Sequence, residues 1–238
     1  MNNFVMLKEK RVLAIVAHPD DEVLGCGATL ALLAAKDWRT GCIMLTKGIA
    51  GRYANTAAQE LPQAQLRLAE QRNNALALLN VSFIKCCDFP DNRLDLVSRM
   101  DVTHAIKKAV AEFQPSLVLT HHAGDYNWDH QLVFDAVMMA TRANYGDDFP
   151  EMIATFEVLS STERAWQAPH NMFCPNIYVN IAETMAIKQR ALLCYEDECR
   201  PYPHPRSVEA IEYLARKRGQ EVGLTVAEAF HMIRQVIT

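Results

Sequence analysis

Two short segments of this chain concentrate side chains that bind metals and move protons. The first is Ala17-His18-Pro19-Asp20-Asp21-Glu22; the second is His121-His122-Ala123-Gly124-Asp125-Tyr126-Asn127-Trp128-Asp129-His130. Imidazole and carboxylate together suit zinc, which in catalytic sites takes three protein ligands and keeps a fourth position for water. His18 and Asp21 stand three residues apart around a proline turn, so both can face one ion, and His130 can supply the third ligand. Asp20, between the first two, is then placed to face the water as a base. Such a site brings the pKa of water to about 7 and polarises a carbonyl, the requirements of amide hydrolysis. A local alternative exists for each piece. Asp20, Asp21 and Glu22 would complement the dipole at the start of a helix, Asp129 would be an N-cap, and His130 a surface residue beside it.

What joins the two segments is the pattern of elements around them. Residues 11–18 form a continuous apolar run rich in β-branched side chains, which predicts a buried strand. An Ala/Leu-rich helix over 24–36 follows, then a strand over 41–46. Pro62 starts a helix whose good formers run over 63–79. A short strand at 81–85, a helix over 94–113, a strand at 117–120 released by Pro115, and a helix over 129–143 complete the alternation. Strands alternating with helices predict an α/β fold, a Rossmann-like three-layer sandwich with a mostly parallel sheet. Beyond Pro150 the pattern changes to strands at 155–160 and 176–181 and helices at 182–195 and 208–218. The last of these has Ser207 as N-cap and Gly219 as its stop. This C-terminal third adds edge strands and helices to the same single domain, residues 1–238. In open α/β sheets ligands bind where loops leave the carboxyl ends of strands, and both segments directly follow predicted strands, the first and the fourth.

The chain has 238 residues, half of them hydrophobic, with a formal charge of −4. That composition excludes a disordered chain, and the absence of a basic surplus argues against nucleic acid as a partner. The apolar runs are far short of the ~20 residues of a membrane span, and residues 1–11 lack the order of a signal peptide. A cytoplasmic enzyme is expected. Seven cysteines contain no C-x-x-C pair and sit mostly in apolar stretches, which reads as buried reduced thiols rather than a metal or disulfide framework. No G-x-G-x-x-G follows the first strand, so the fold does not imply a nucleotide.

The AHPDDE segment resembles the signature of the PIG-L/LmbE-like de-N-acetylases, zinc enzymes acting on N-acetylglucosamine-type substrates, and the second segment resembles that family's later His-Pro-Asp-His motif. The likeness continues through Arg67, Glu70 and Arg72, through Phe89-Pro90-Asp91-Asn92-Arg93-Leu94 and Tyr202-Pro203-His204-Pro205-Arg206-Ser207, and into Ala227-Glu228-Ala229-Phe230. It implies His18, Asp21 and His130 as ligands to zinc (or another divalent ion such as Fe2+), Asp20 as general base, and an N-acetylated sugar or glycoconjugate as substrate. It also leaves room for a homo-oligomer in which the loop around His204 completes a neighbour's site. One departure stands out. Asn127 occupies the place of the family's first motif histidine, which the residue matching Asp129 orients; an amide can donate to an oxyanion but cannot deliver a proton. His204 is the candidate for the missing imidazole, against a plain loop residue between two prolines.

Other residues support the same reading. Arg52, after the second strand, and Arg206 could clamp a phosphate or carboxylate of the substrate, against ordinary surface ion pairs. Asp91 and Asn92 could hydrogen-bond sugar hydroxyls, against a turn role. Asp125 could hold a neighbouring histidine or a substrate hydroxyl. One of His121 and His122 could orient a ligand, Trp128 could stack on a sugar, and Met138-Met139 reads as core packing. The rival functions are hydrolysis of another amide, such as a thiol conjugate or an antibiotic intermediate, and a non-catalytic ligand-binding module.

Overall fold

A computed structural model describes residues 7–50, 60–166 and 168–237. The apolar run after Lys10 forms strand β1 (Arg11–Val16), and the chain then alternates through α1 (Asp21–Ala34), β2 (Arg39–Thr46), α2 (Leu61–Leu78), β3 (Phe83–Phe89), α3 (Arg99–Phe113), β4 (Leu117–His121), α4 (Trp128–Ala140) and β5 (Met152–Phe156). It closes with β6 (Ile177–Asn180), α5 (Met185–Cys194), α6 (Val208–Gln220) and β7 (Ala227–Gln235). The strands form one sheet in the order β3-β2-β1-β4-β5-β7-β6. The first five are mutually parallel, with Val12 registered against Thr40 on one side and Leu117 on the other. β7 runs antiparallel to both β5 and β6. The α/β class, the three layers and the mostly parallel sheet agree with the sequence pattern.

Alternation along each strand divides the core between the two faces. Val12, Ala14 and Val16 face α1, α2, α5 and α6, while Leu13 and Ile15 face α3 and α4. Strand order reverses between β1 and β4, because α1 and α4 lie on opposite faces; the carboxyl ends of those two strands therefore open into a crevice. The two ligand-rich segments leave the sheet there.

Several boundaries differ from the sequence reading. α1 begins at Asp21 rather than at 24, because Asp20 takes a left-handed conformation (φ 102) and its carbonyl accepts the amides of Val23 and Leu24. The helix expected over 94–113 is a single 3-10 turn, Leu94–Leu96, followed by α3, with extended backbone at Val97 and Ser98 between them. β3 and β5 are displaced from 81–85 and 155–160 to Phe83–Phe89 and Met152–Phe156. Gly219 does not stop α6. It lies inside the helix, where a Cβ would stand 2.7 Å from the carbonyl oxygen of Leu224, so the glycine serves close packing of the returning chain. β7 was not expected as a strand. Only Cys26 and Cys42 are buried among the seven free cysteines, and Cys174 is exposed; Met139 is also exposed rather than in the core. Among the described residues, no helix is long and apolar enough to cross a membrane.

α1 is buried almost throughout, which makes its polar contacts consequential. Glu228 of β7 accepts the amides of Ala28 (3.0 Å) and Thr29 (2.7 Å) from the middle of the helix. Lys188 of α5 donates to the Leu24 carbonyl (2.9 Å) and to Glu228 (2.6 Å). Both charged side chains are about 95 % buried. Two C-terminal elements thus fix the helix that opens on Asp20 and Asp21.

Candidate metal centre

His18 leaves the end of β1, Asp21 opens α1, and His130 lies in the first turn of α4. Their ligand atoms form a nearly equilateral triangle. Nδ1 of His18 is 3.3 Å from Oδ2 of Asp21 and 3.3 Å from Nε2 of His130, which is 3.3 Å from the same carboxylate oxygen. Asp21 is held from below by the His18 amide (2.9 Å). The edge of a tetrahedron is about 1.63 times its centre-to-vertex distance, so zinc bonds of about 2.0–2.1 Å require donors about 3.3–3.4 Å apart. Octahedral coordination at similar lengths requires about 2.8–3.0 Å. The donor set and its spacing therefore fit a tetrahedral ion with one position left over.

Each histidine has a carboxylate behind it. Nε2 of His18 is hydrogen-bonded to Oδ2 of Asp129 (3.1 Å), with Asp91 at 3.5 Å, and Oδ1 of Asp129 accepts the Leu94 amide (3.0 Å). Nδ1 of His130 is buried, 3.2 Å from Oδ1 of Asp125, in a contact short of hydrogen-bond alignment. Asp125 is itself gripped by the Asn127 amide (2.9 Å), the Thr162 hydroxyl (2.6 Å) and a very short bond from Ser161. Below His130 lies His121, stacked at 3.8 Å; its Nε2 accepts the Ala17 amide (2.9 Å), so its proton sits on Nδ1. Burial and the neighbouring His130 push the His121 pKa down to about 3, and it stays neutral. His122 turns away, bonded to the Asn171 carbonyl.

Burial alone would lower the His130 pKa, but the Asp21 charge and Asp125 override it and bring it up to about 9. His18 is raised well above its ordinary value in the same way, its burial outweighed by Asp129 and Asp21. Asp21 is held well below the carboxylate range, its burial outweighed by His130 and His121.

Asp20 stands apart from this triangle. It is 2 % exposed and lines a cavity of about 130 Å³ with His18, Asp91, Asn92, Asn127, Glu198 and Arg206. Its Oδ2 accepts no aligned hydrogen bond, although Nη1 of Arg206 lies 2.9 Å away. Burial raises its pKa well above the ordinary value against the pull of Arg206. Beneath it, burial likewise raises Glu22 to about 7, despite the Tyr195 hydroxyl donating at 2.6 Å.

The remaining sequence candidates divide clearly. Asn127, not Asp129, is the N-cap of α4: its Oδ1 accepts the Asp129 amide (2.9 Å), so its NH2 is the end left for the cavity. Asp129 turns to His18, and Asp91 and Asn92 reach the cavity wall. Arg206 faces inward rather than outward, with Nη1 on Asp20 and Glu198 and Nε donating to Ser160. His204 is outside the cavity lining, and its Nδ1 accepts the Arg206 amide. Arg52 lies outside the described residues. Trp128 is exposed at the start of α4. No cysteine enters the metal-competent groups found among the described residues. The hydroxyl pair Ser161/Thr162 and the buried Glu198 went unnoticed in sequence, where nothing distinguishes them from loop residues.

The family model described as "PIG-L: GlcNAc-PI de-N-acetylase" matches residues 13–141, the stretch that contains both His/Asp-rich segments. The chain belongs to the PIG-L family. A relative from Escherichia coli K12, described as the uncharacterized deacetylase YaiS, is 34% identical over 140 residues, covering 57% of this chain and 70% of that one. The diacetylchitobiose deacetylase of Thermococcus kodakarensis is 27% identical over 197 residues, covering 79% and 70%. Among solved structures, N,N'-diacetylchitobiose deacetylase from Pyrococcus horikoshii superimposes with a TM-score of 0.75 at 21% identity, over 98% of this chain and 86% of that one, a likeness of fold. The Escherichia coli and Thermococcus relatives are deacetylases by description, which supports an enzyme.

Proposed function

We propose that this protein is a zinc-dependent deacetylase that hydrolyses the N-acetyl group of an amino sugar or its conjugate, of the N-acetylglucosamine type. The observation that carries this reading is the 3.3 Å triangle of His18, Asp21 and His130, with His18 and Asp20 lining one cavity. Membership of the PIG-L family and the deacetylases it resembles support the reaction and the substrate class. A divalent ion bound there supplies Lewis acidity, making a water acidic and the acetyl carbonyl electrophilic.

The chain's own groups do the rest. Asp20 takes a proton from the attacking water, its carboxyl standing on the wall of the same cavity as His18. The same carboxyl then returns the proton to the amine nitrogen as the C–N bond breaks, so acetate and a free amine leave. Arg206, itself paired with Glu198, holds the Asp20 side chain in place. The Asn127 NH2, aimed by the Oδ1 cap on α4, donates to the carbonyl oxygen as it gains charge. Asp91 and Asn92 offer acceptors and donors to sugar hydroxyls. No step is assigned to His204, whose Nδ1 accepts the Arg206 amide. The free cysteines suit a reducing, cytoplasmic setting.

The test is metal content by mass spectrometry together with acetate release from a panel of N-acetyl sugars, glycoconjugates and nucleotide sugars. One zinc per chain and release that falls 10²–10⁴-fold in Asp20→Asn are expected. A protein that takes up no divalent metal, or an Asp20→Asn variant that releases acetate at the wild-type rate, overturns the reading.

A further inference from the structure

We infer that Asp129 and Asp125 fix opposite ring nitrogens of the two histidines, so that His18 can ligate only through Nδ1 and His130 only through Nε2. This rests on the metal reading above. A neutral imidazole carries one proton, and whichever nitrogen holds it cannot offer a lone pair. Asp129 accepts from Nε2 of His18 at 3.1 Å while its other oxygen is taken by the Leu94 amide, so it acts as a fixed acceptor. On His130 the geometry is reversed. Nδ1 is buried and faces Oδ1 of Asp125 at 3.2 Å, and it has no other acceptor among the described residues. A buried ring N–H requires an acceptor, and Asp125 is the one at hand.

Every group touching Asp125 is a donor or can act as one: the Asn127 amide, the Ser161 and Thr162 hydroxyls, and His130 Nδ1. The carboxylate is therefore locked as an acceptor by residues of the β5–β6 connection, outside the segments that carry the ligands. Asp129 is locked from the β3–α3 connection. The mixed Nδ1/Nε2 pair follows from these two supports, and both are positioning residues rather than ligands. For Asp129 this is a different task from orienting a catalytic imidazole, which Asn127 has removed from the neighbouring position.

The experiment uses the full chain loaded with zinc. Long-range proton–nitrogen correlation spectra report which ring nitrogen of each histidine carries its proton, and chelator competition reports zinc affinity. The proton is expected on Nε2 of His18 and on Nδ1 of His130, and Asp125→Asn and Asp129→Asn are each expected to weaken zinc binding 10–100-fold. Thr162→Val, which removes one lock on Asp125 while keeping shape, weakens it by less, and Thr162→Ser restores it; this pair serves if the carboxylate variants fail to fold. A His130 proton on Nε2, a His18 proton on Nδ1, or carboxylate variants with wild-type affinity overturn the inference while leaving the metal reading intact. Wild-type protein that binds no zinc overturns both.

Discussion

Removing the ion should make stability depend on pH in a definite direction. His130 is fully buried between Asp21 and Asp125, and its pKa rises from 6.5 to about 9 when no metal is present. The folded protein therefore holds this proton more tightly than the unfolded chain. The stabilisation is complete below pH 6.5 and is lost as pH rises through about 9. At 1.36 kcal/mol per unit the shift corresponds to about 3 kcal/mol, a sizeable part of the 5–15 kcal/mol typical of a domain. His18, also raised, acts in the same direction. Other groups titrate nearby: burial raises Glu22 to about 7 and the buried thiols of Cys26 and Cys42 well above theirs. The contribution of His130 is isolated by comparing wild type with His130→Gln. The assay is urea unfolding of chelator-treated protein at intervals from pH 6 to 9.5. Wild type should lose about 3 kcal/mol more than His130→Gln across that range, and saturating zinc should abolish the difference between the pH extremes that this proton causes. Parallel pH profiles for the two chelated proteins would refute the arrangement of charges around His130.

Three other outcomes follow from single contacts. Asn127→Asp keeps the acceptor that caps α4 and loses the NH2 facing the cavity, so the helix should remain stable while kcat for acetate release falls 10²–10³-fold; an unchanged kcat removes Asn127 from the chemistry. Gly25→Ala places a Cβ 2.2 Å from the ring of Phe156 and should cost about 1–3 kcal/mol in urea unfolding. Lys188→Met leaves Glu228 buried with only its two backbone donors and should cost about 3–5 kcal/mol, whereas the double variant Lys188→Met/Glu228→Gln should cost clearly less than the sum of the single ones.

The parallel half of the fold was legible because its strands are buried on both faces. The runs around Ile15, Ile43 and Leu119 are apolar throughout and are separated by helices with strong formers or a proline start. The ligand triangle was legible for a related reason: its residues sit on short strand-to-helix connections, where spacing along the chain translates into spacing in the fold. β7 was hidden by its own function in the structure. Glu228 breaks the apolar pattern of the strand, and the groups that satisfy it, Lys188 and the amides of Ala28 and Thr29, lie 40 to 200 residues away. The partners of Arg206 were hidden similarly. An arginine in a proline-rich loop reads as a reach toward substrate, and only the fold brings Ser160, Glu198 and Asp20 to its guanidinium. The fixed acceptors behind the histidines depend on Leu94, Ser161 and Thr162, ordinary residues whose meaning comes from what they touch.

The place of β7 in the sheet also orders events during synthesis. Among the described residues β6 reaches the sheet through β7 alone, and β7 follows the other six strands of the sheet in the chain. Until it arrives, β6 has no neighbour, Lys188 has no counter-charge, and the middle of α1 lacks the carboxylate that binds its amides. The parallel strands β1 to β5 can assemble earlier, since all of them precede β7 in the chain. The helix that presents Asp20 and Asp21 is thus secured only after the other ligand-bearing loop has already formed. A nascent chain would acquire its parallel strands first and the contacts that secure α1 last.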